Sequence, residues 1–349
     1  MAEGIHMSPI TQLPSSIFHL PTSIFHLPTS ILSHVTPTRQ LHIIKLLSDL
    51  GANPARPGAA KGPDALLKYD GERKNIFNSS VISEVKMPEI NRSEEKNKYS
   101  WAKYCDHIST FQEQASAQVN QVIQSGQFPF ILSGDHSSAA SVLAGLRQSF
   151  PKERIGVIWV DAHADLHTPY TTPSGNMHGM PLAISLAEDN MDIGHNQLTE
   201  EKRYWEQLKS NGQMQPKITQ SDLLYVELRD LEKEEIEYIQ KHKIKHYSPA
   251  DRKAKGIDSI ADEVTEWAGK FDKIYVSFDI DSMDMQYVPG TGTPVTDGFS
   301  PEAASTLLQA LWQLPNLAVF EVTEINPELD ATTTTLESVY AAIGNLNMN

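Results

Sequence analysis

Asp161, His163 and Asp165 follow one another at spacing two, directly after the apolar run of residues 155–160. Asp279 and Asp281 close a second apolar run with the same spacing, His136 follows a third, and Glu324 follows a fourth. Carboxylates and imidazoles are the oxygen and nitrogen donors that divalent cations take. A single Asp after a strand is ordinarily a turn or a helix cap. Several placed together are not, because burying like charges near one another costs many kcal/mol unless cations intervene. Six such ligands, His136, Asp161, His163, Asp165, Asp279 and Asp281, suit hard or borderline octahedral ions such as manganese, and the lack of thiolates speaks against structural zinc. Four aspartates carry about −4, which two divalent cations neutralise while leaving a field for a bridging water. Such a water would be a hydroxide near neutral pH.

These residues need strands to bring them together. Residues 155–160, IGVIWV, lack polar alternation, the pattern of a strand covered on both faces in a parallel sheet. An extended backbone beyond it would point Asp161, His163 and Asp165 to one side, at the carboxyl end of the strand, where open α/β sheets place ligands. Residues 128–132 and 222–228, and the stretches 273–284 and 317–330, read as further strands, and LHIIKLL from Leu41 as a first strand or helix start. Helices are expected over 101–126, after Ser137 or Ser138 as cap, after the acidic stretch 230–237, and from Thr335. The glycine- and proline-rich segment 51–68 leads into a helix at Pro63 and carries no phosphate-binding glycine signature. TEEKRYWEQLKS, within 195–212, reads as a surface insertion. Strands alternating with helices predict an α/β fold, three layers α/β/α around a central, mostly parallel sheet.

The chain has 349 residues, 40% of them hydrophobic, enough for one large domain, expected over 39–349. Its formal charge of −15 disfavours nucleic acid and favours cationic ligands. The lone Cys105 excludes an intramolecular disulfide. No run of about 18 apolar residues or secretory signal occurs, so no membrane span is expected and the cytoplasm is the default compartment. Residues 1–38 hold three seven-residue units, LPSSIFH, LPTSIFH and LPTSILS, each with a proline that blocks a continuous helix. They read as a flexible tail.

GDHS at 134–137, DAHAD at 161–165, SGNMHG at 174–179, SFDID at 277–281, GTGTP at 290–294 and EINP at 324–327 resemble the signature blocks of the ureohydrolase family, most closely its arginase branch. The resemblance spans roughly residues 41 to 345 in order and spacing. It implies an arginase-like fold with two Mn2+ ions, cobalt being possible in the bacterial subgroup whose extra segment the 195–212 insertion resembles. In that pattern Asp161 and Asp279 bridge the ions, His136 and Asp165 complete one site, and His163 and Asp281 complete the other. The implied reaction is attack of a metal-bridging hydroxide on the guanidinium of L-arginine, giving L-ornithine and urea. Glu324 resembles the carboxylate that pairs with the guanidinium, Thr293 the threonine near it, and His178 the loop histidine that exchanges protons with solvent. Asp165 would relay a proton to the departing amine. Contacts to the α-carboxylate and α-ammonium would fall on Ser174 and Asn176, with His167 nearby, and on Asp230, Glu232 and Glu235. His167 and Glu232 depart from the asparagine and aspartate common in the family, which bears on specificity rather than chemistry. A homo-oligomer is implied as well.

Agmatinase, guanidinobutyrase and formimidoylglutamase are alternatives within the family, separated by what loops 167–178 and 228–235 bind. A binuclear metallophosphoesterase, from another class, is disfavoured because no asparagine ligand after a GN turn and no later histidine pair is present.

Overall fold

The computed structural model describes residues 39–348 apart from 79, 96 and 97; the tail reading of residues 1–38 falls outside them. Eight strands form one sheet: β1 (Leu41–Leu47), β2 (Val81–Lys86), β3 (Phe128–Ser133), β4 (Ile155–Val160), β5 (Leu223–Val226), β6 (Lys245–Tyr247), β7 (Lys273–Asp279) and β8 (Leu317–Thr323). Their spatial order is β2-β1-β3-β8-β7-β4-β5-β6, and every pairing is parallel. Helices cover both faces, giving the three-layer α/β arrangement.

The central strands β3 and β4 are buried at every residue, as unbroken apolar runs require when both faces are covered. Side chains of alternate parity feed two cores. Ile155, Val157 and Trp159 of β4 join one with helix Cys105–Gln124, while Ile158 and Val160 join the other with helix Pro301–Trp312. The edges differ. β2 exposes Val81 and Ile82, and β6 has three residues, two of them exposed.

Two expectations are corrected. The 3-10 turn His136–Ser138 is capped by Asp135, whose carboxylate accepts from Ser137 N at 2.9 Å and from Gly51 N at 3.0 Å, so neither serine caps with its side chain. Helix Glu201–Ser210 is not a mere surface insertion, since Trp205 is fully buried in the core and its Nε1 donates to Asp189 at 2.7 Å. An amphipathic helix with one large aromatic on its inner face needs little other apolar sequence to dock. Among the described residues no helix is long and apolar enough to cross a membrane.

Candidate metal centre and substrate cavity

Five adjacent strands, β3, β8, β7, β4 and β5, end side by side, and each sends a polar residue beyond its carboxyl end: His136, Glu324, Asp281, Asp161 and Asp230. The chain does not stay extended after β4. Asp165 has φ 53° and Glu324 φ 66°, left-handed conformations that non-glycine residues adopt at a cost and that cluster at functional sites. The convergence of Asp161, His163 and Asp165 therefore comes from bends, not from the strand period. The turn at His136 is just as tight, because a Cβ on Gly134 would lie 1.9 Å from the Ser48 carbonyl oxygen.

His136 Nδ1 stands 3.1 Å from Asp161 Oδ2, 3.0 Å from Asp165 Oδ2 and 3.0 Å from Asp279 Oδ2. His163 Nδ1 lies 3.1 Å from Asp281 Oδ2 and 3.5 Å from Asp161 Oδ1. His136, Asp161 and Asp279 thus form one group with metal-ligand spacing, and Asp161, His163 and Asp281 a second, with Asp161 common to both. Burial and repulsion from Asp161 push the Asp165 carboxyl up to about 6. Burial, with Asp281 and Asp161 close by, pushes Asp279 well above the usual carboxylate range. For Asp161 the imidazoles of His136 and His163 outweigh burial and hold it low.

The surroundings of His136 test whether this donor set fits a cation. Its ring stacks on Trp159, with centroids 4.1 Å apart and planes 7° from parallel. Its Nε2 meets Ser277 Oγ at 2.8 Å, and Ser277 Oγ donates to Glu321 Oε2 at 3.0 Å. Ser133 at 2.7 Å and the Tyr275 hydroxyl also donate to buried Glu321. With its proton spent on Glu321, Ser277 accepts the hydrogen of Nε2, and the lone pair of Nδ1 is left facing the carboxylates. Nδ1 and the buried Oδ2 atoms of Asp161 and Asp165 have no hydrogen-bond partner. Lone pairs aimed at one another in a buried space are what a cation between them would reconcile, so the residues fit divalent metal.

Above this floor lies a cavity of about 490 Å3, lined by His136, His163, Asp165 and Asp279 below and by residues of loops 172–179, 230–235 and 292–295 at its rim. Glu324 Oε1 accepts from His136 N at 2.9 Å and lies 3.3 Å from His178 Nδ1, whereas its buried Oε2 has no partner. His178 lines the cavity; burial works against its charge, but Glu324 outweighs that and its pKa is raised. Thr293 donates to Asp281 Oδ2 at 3.0 Å and so braces the floor.

At the rim, Ser174 and Asn176 line the cavity. Lys103 Nζ donates to Asn176 Oδ1 at 3.0 Å, which turns the amide N–H groups away from Lys103. Gly175, at φ 73°, lets this loop press on the 99–104 segment, where a Cβ would lie 2.1 Å from Ser100 O. The acidic trio does not act as a set. Asp230 Oδ2 lies 3.5 Å from His163 Nε2, on the far side of that ring from Asp281. Glu235 accepts from Leu166 N and Glu232 N, each at 3.2 Å, and so closes a helix start, while burial pushes its pKa up to about 8. Asp230 and Glu232, with side chains 63% and 53% exposed, both line the cavity, and Glu232 meets His167 Nε2 at 3.2 Å.

Three contributors were not legible as site residues. Ser277 had a signal, since it shares a strand face with Asp279 in SFDID, and Glu321 stands on the adjacent strand in register with it. Lys103 had none.

The chain matches the Arginase family over residues 39–346 and belongs to that family. It is therefore a hydrolase of the arginase type. It is 33% identical to the arginase of Bacillus subtilis over 294 residues, 84% of this chain and 92% of that one. The arginase structure from Bacillus caldovelox superposes with a TM-score of 0.76 at 30% identity, covering 89% of this chain and 99% of the other. An Entamoeba histolytica arginase in complex with L-ornithine gives 0.76 at 25% identity, covering 88% and 98%.

Proposed function

We propose that the chain hydrolyses L-arginine to L-ornithine and urea at a binuclear manganese centre held by His136, Asp161, His163, Asp165, Asp279 and Asp281. Two bound divalent cations would supply Lewis acidity and lower the pKa of bound water. The observation that carries the reading is the unpartnered Oε2 of Glu324, buried beside the ligand cluster. A buried carboxylate oxygen without a donor is costly, and a planar guanidinium supplies N–H groups to fill it. Glu324 thereby orients the carbon under attack toward the floor. Asp165, on the cavity wall, carries a proton toward the departing amine, and His178 exchanges protons between the cavity and solvent. Ser174 and Asn176 receive the α-carboxylate, and Glu232 the α-ammonium. The reading includes a cytoplasmic homo-oligomer, which sedimentation of the purified chain and fractionation of its host test.

Urea release from L-arginine, agmatine and 4-guanidinobutyrate, each with added manganese or cobalt, decides the assignment. We expect kcat/KM for L-arginine to exceed that for agmatine by at least about 10³, because a polar site left unmatched rejects analogues by powers of ten. Comparable rates on agmatine would refute the arginase assignment and leave the ureohydrolase chemistry standing.

A further inference from the structure

His167 is 6% exposed and sits in the cavity wall between two acidic residues. Its Nδ1 meets Thr171 Oγ1 at 3.2 Å, and its Nε2 lies 3.2 Å from Glu232 Oε2 and 3.9 Å from Glu235 Oε2. A bare Nε2 lone pair against two carboxylates would be repulsive, so Nε2 carries a hydrogen, with Thr171 able to donate to Nδ1 or accept from it. Glu235 is already engaged by two backbone amides, which leaves Glu232 as the acceptor of that hydrogen. The Glu232 carboxylate also accepts from the backbone at the start of helix Lys233–His242, so it is held from two sides. The imidazole thus has no spare donor for a substrate carboxylate, contrary to the expectation from sequence.

We propose that His167 is a positioning residue: together with the helix start it orients the Glu232 carboxylate, whose remaining lone pairs receive the substrate's α-ammonium group, and it selects amino-acid guanidines without touching them. The inference rests on the arginine reading above and names what distinguishes the ammonium end of that substrate. A long, half-exposed glutamate would otherwise sample several rotamers, and holding it in one removes an entropy cost from each binding event.

Calorimetry with two ligands tests this without turnover. L-Ornithine carries the α-ammonium, whereas 5-aminovalerate is the same chain without it. His167→Leu should weaken L-ornithine about tenfold and leave 5-aminovalerate within about twofold, His167→Gln should restore most of the loss, and Glu232→Gln should reproduce it. Adding His167→Leu to Glu232→Gln should cost nothing further if the histidine acts through Glu232 alone. Since Glu232 is half exposed, its variant reports even if a His167 variant misfolds. In turnover, the loss should fall on KM for L-arginine with kcat nearly unchanged, and KM for 4-guanidinobutyrate should not move. Equal weakening of both calorimetric ligands, or an unchanged L-ornithine affinity in Glu232→Gln, would overturn the inference. Absence of urea from L-arginine with the ornithine preference intact would instead overturn the function alone.

Discussion

The floor and the rim of the cavity are built on opposite principles. On the floor, six donors from adjacent strand ends point their lone pairs at one another, and several buried atoms lack any partner. At the rim, the polar side chains are already paired: Lys103 with Asn176, His167 with Glu232, Asp230 with His163. An unmatched set stores a demand for an ion, which only something of opposite charge satisfies. A paired set stores orientation, so that a ligand meets groups already aimed. On the proposed arginine reading the chemistry belongs to the floor and the choice of substrate to the rim, and substitutions in the two regions should leave different signatures.

The largest effect should come from the floor. Asp161 belongs to both ligand groups, and Asp161→Ala should lower kcat/KM by about 10³-fold or more while the bound metal falls by at least one equivalent. An active variant that still binds two equivalents of manganese would break the division at its root. Next comes Glu324, which accepts from His136 N through one oxygen and leaves the other without a partner. Glu324→Gln should lower kcat/KM for every guanidino substrate by about 10²- to 10³-fold, as when one partner of a buried charge pair is truncated, with metal content unchanged. Loss of metal in that variant would move Glu324 into the floor.

This division also explains what was legible in the sequence. Floor residues come at the ends of mostly apolar strands, so a switch from hydrophobic run to Asp and His marks them one by one, and a parallel sheet leaves them nowhere else to go. The positive φ angles of Asp165 and Glu324 were invisible, because no glycine flags them. Rim residues lie on loops whose paths depend on distant packing. Glu235 and Glu232 look equivalent in RDLEKEEIEYI, yet one turns inward to accept amides and the other stays outside. The same blindness made Trp205 part of a surface segment, since one aromatic among charged residues says nothing of the core that receives it.

A smaller effect, confined to the rim, should follow from Lys103→Met. Without the Nζ donor at 3.0 Å, the Asn176 amide can rotate and present its oxygen to the cavity. We expect KM to rise roughly tenfold for L-arginine and 4-guanidinobutyrate, which carry a carboxylate, and to stay level for agmatine, which does not. Lys103→Arg should recover part of the loss. A fall in kcat with KM unchanged would show that rim and floor are coupled.

The smallest effect tests whether anything outside residues 39–348 contributes to either region. Each seven-residue unit of the first 38 residues carries a proline, which removes a backbone donor and interrupts helix, and that segment contains no Lys or Arg and only one acidic residue, Glu3, with which to pair the rim. The family match begins at residue 39, and all six floor ligands lie beyond it. We therefore propose that a chain beginning at residue 39 keeps kcat and KM for L-arginine within about twofold and its melting temperature within about 2 °C, the shift expected for roughly 1 kcal/mol in a domain of this size. A lower melting temperature with unchanged kinetics would assign the repeat to packing against the domain or a neighbouring copy. A raised KM with unchanged stability would make the repeat part of the rim, and the boundary between chemistry and selection would then have to be drawn to include it.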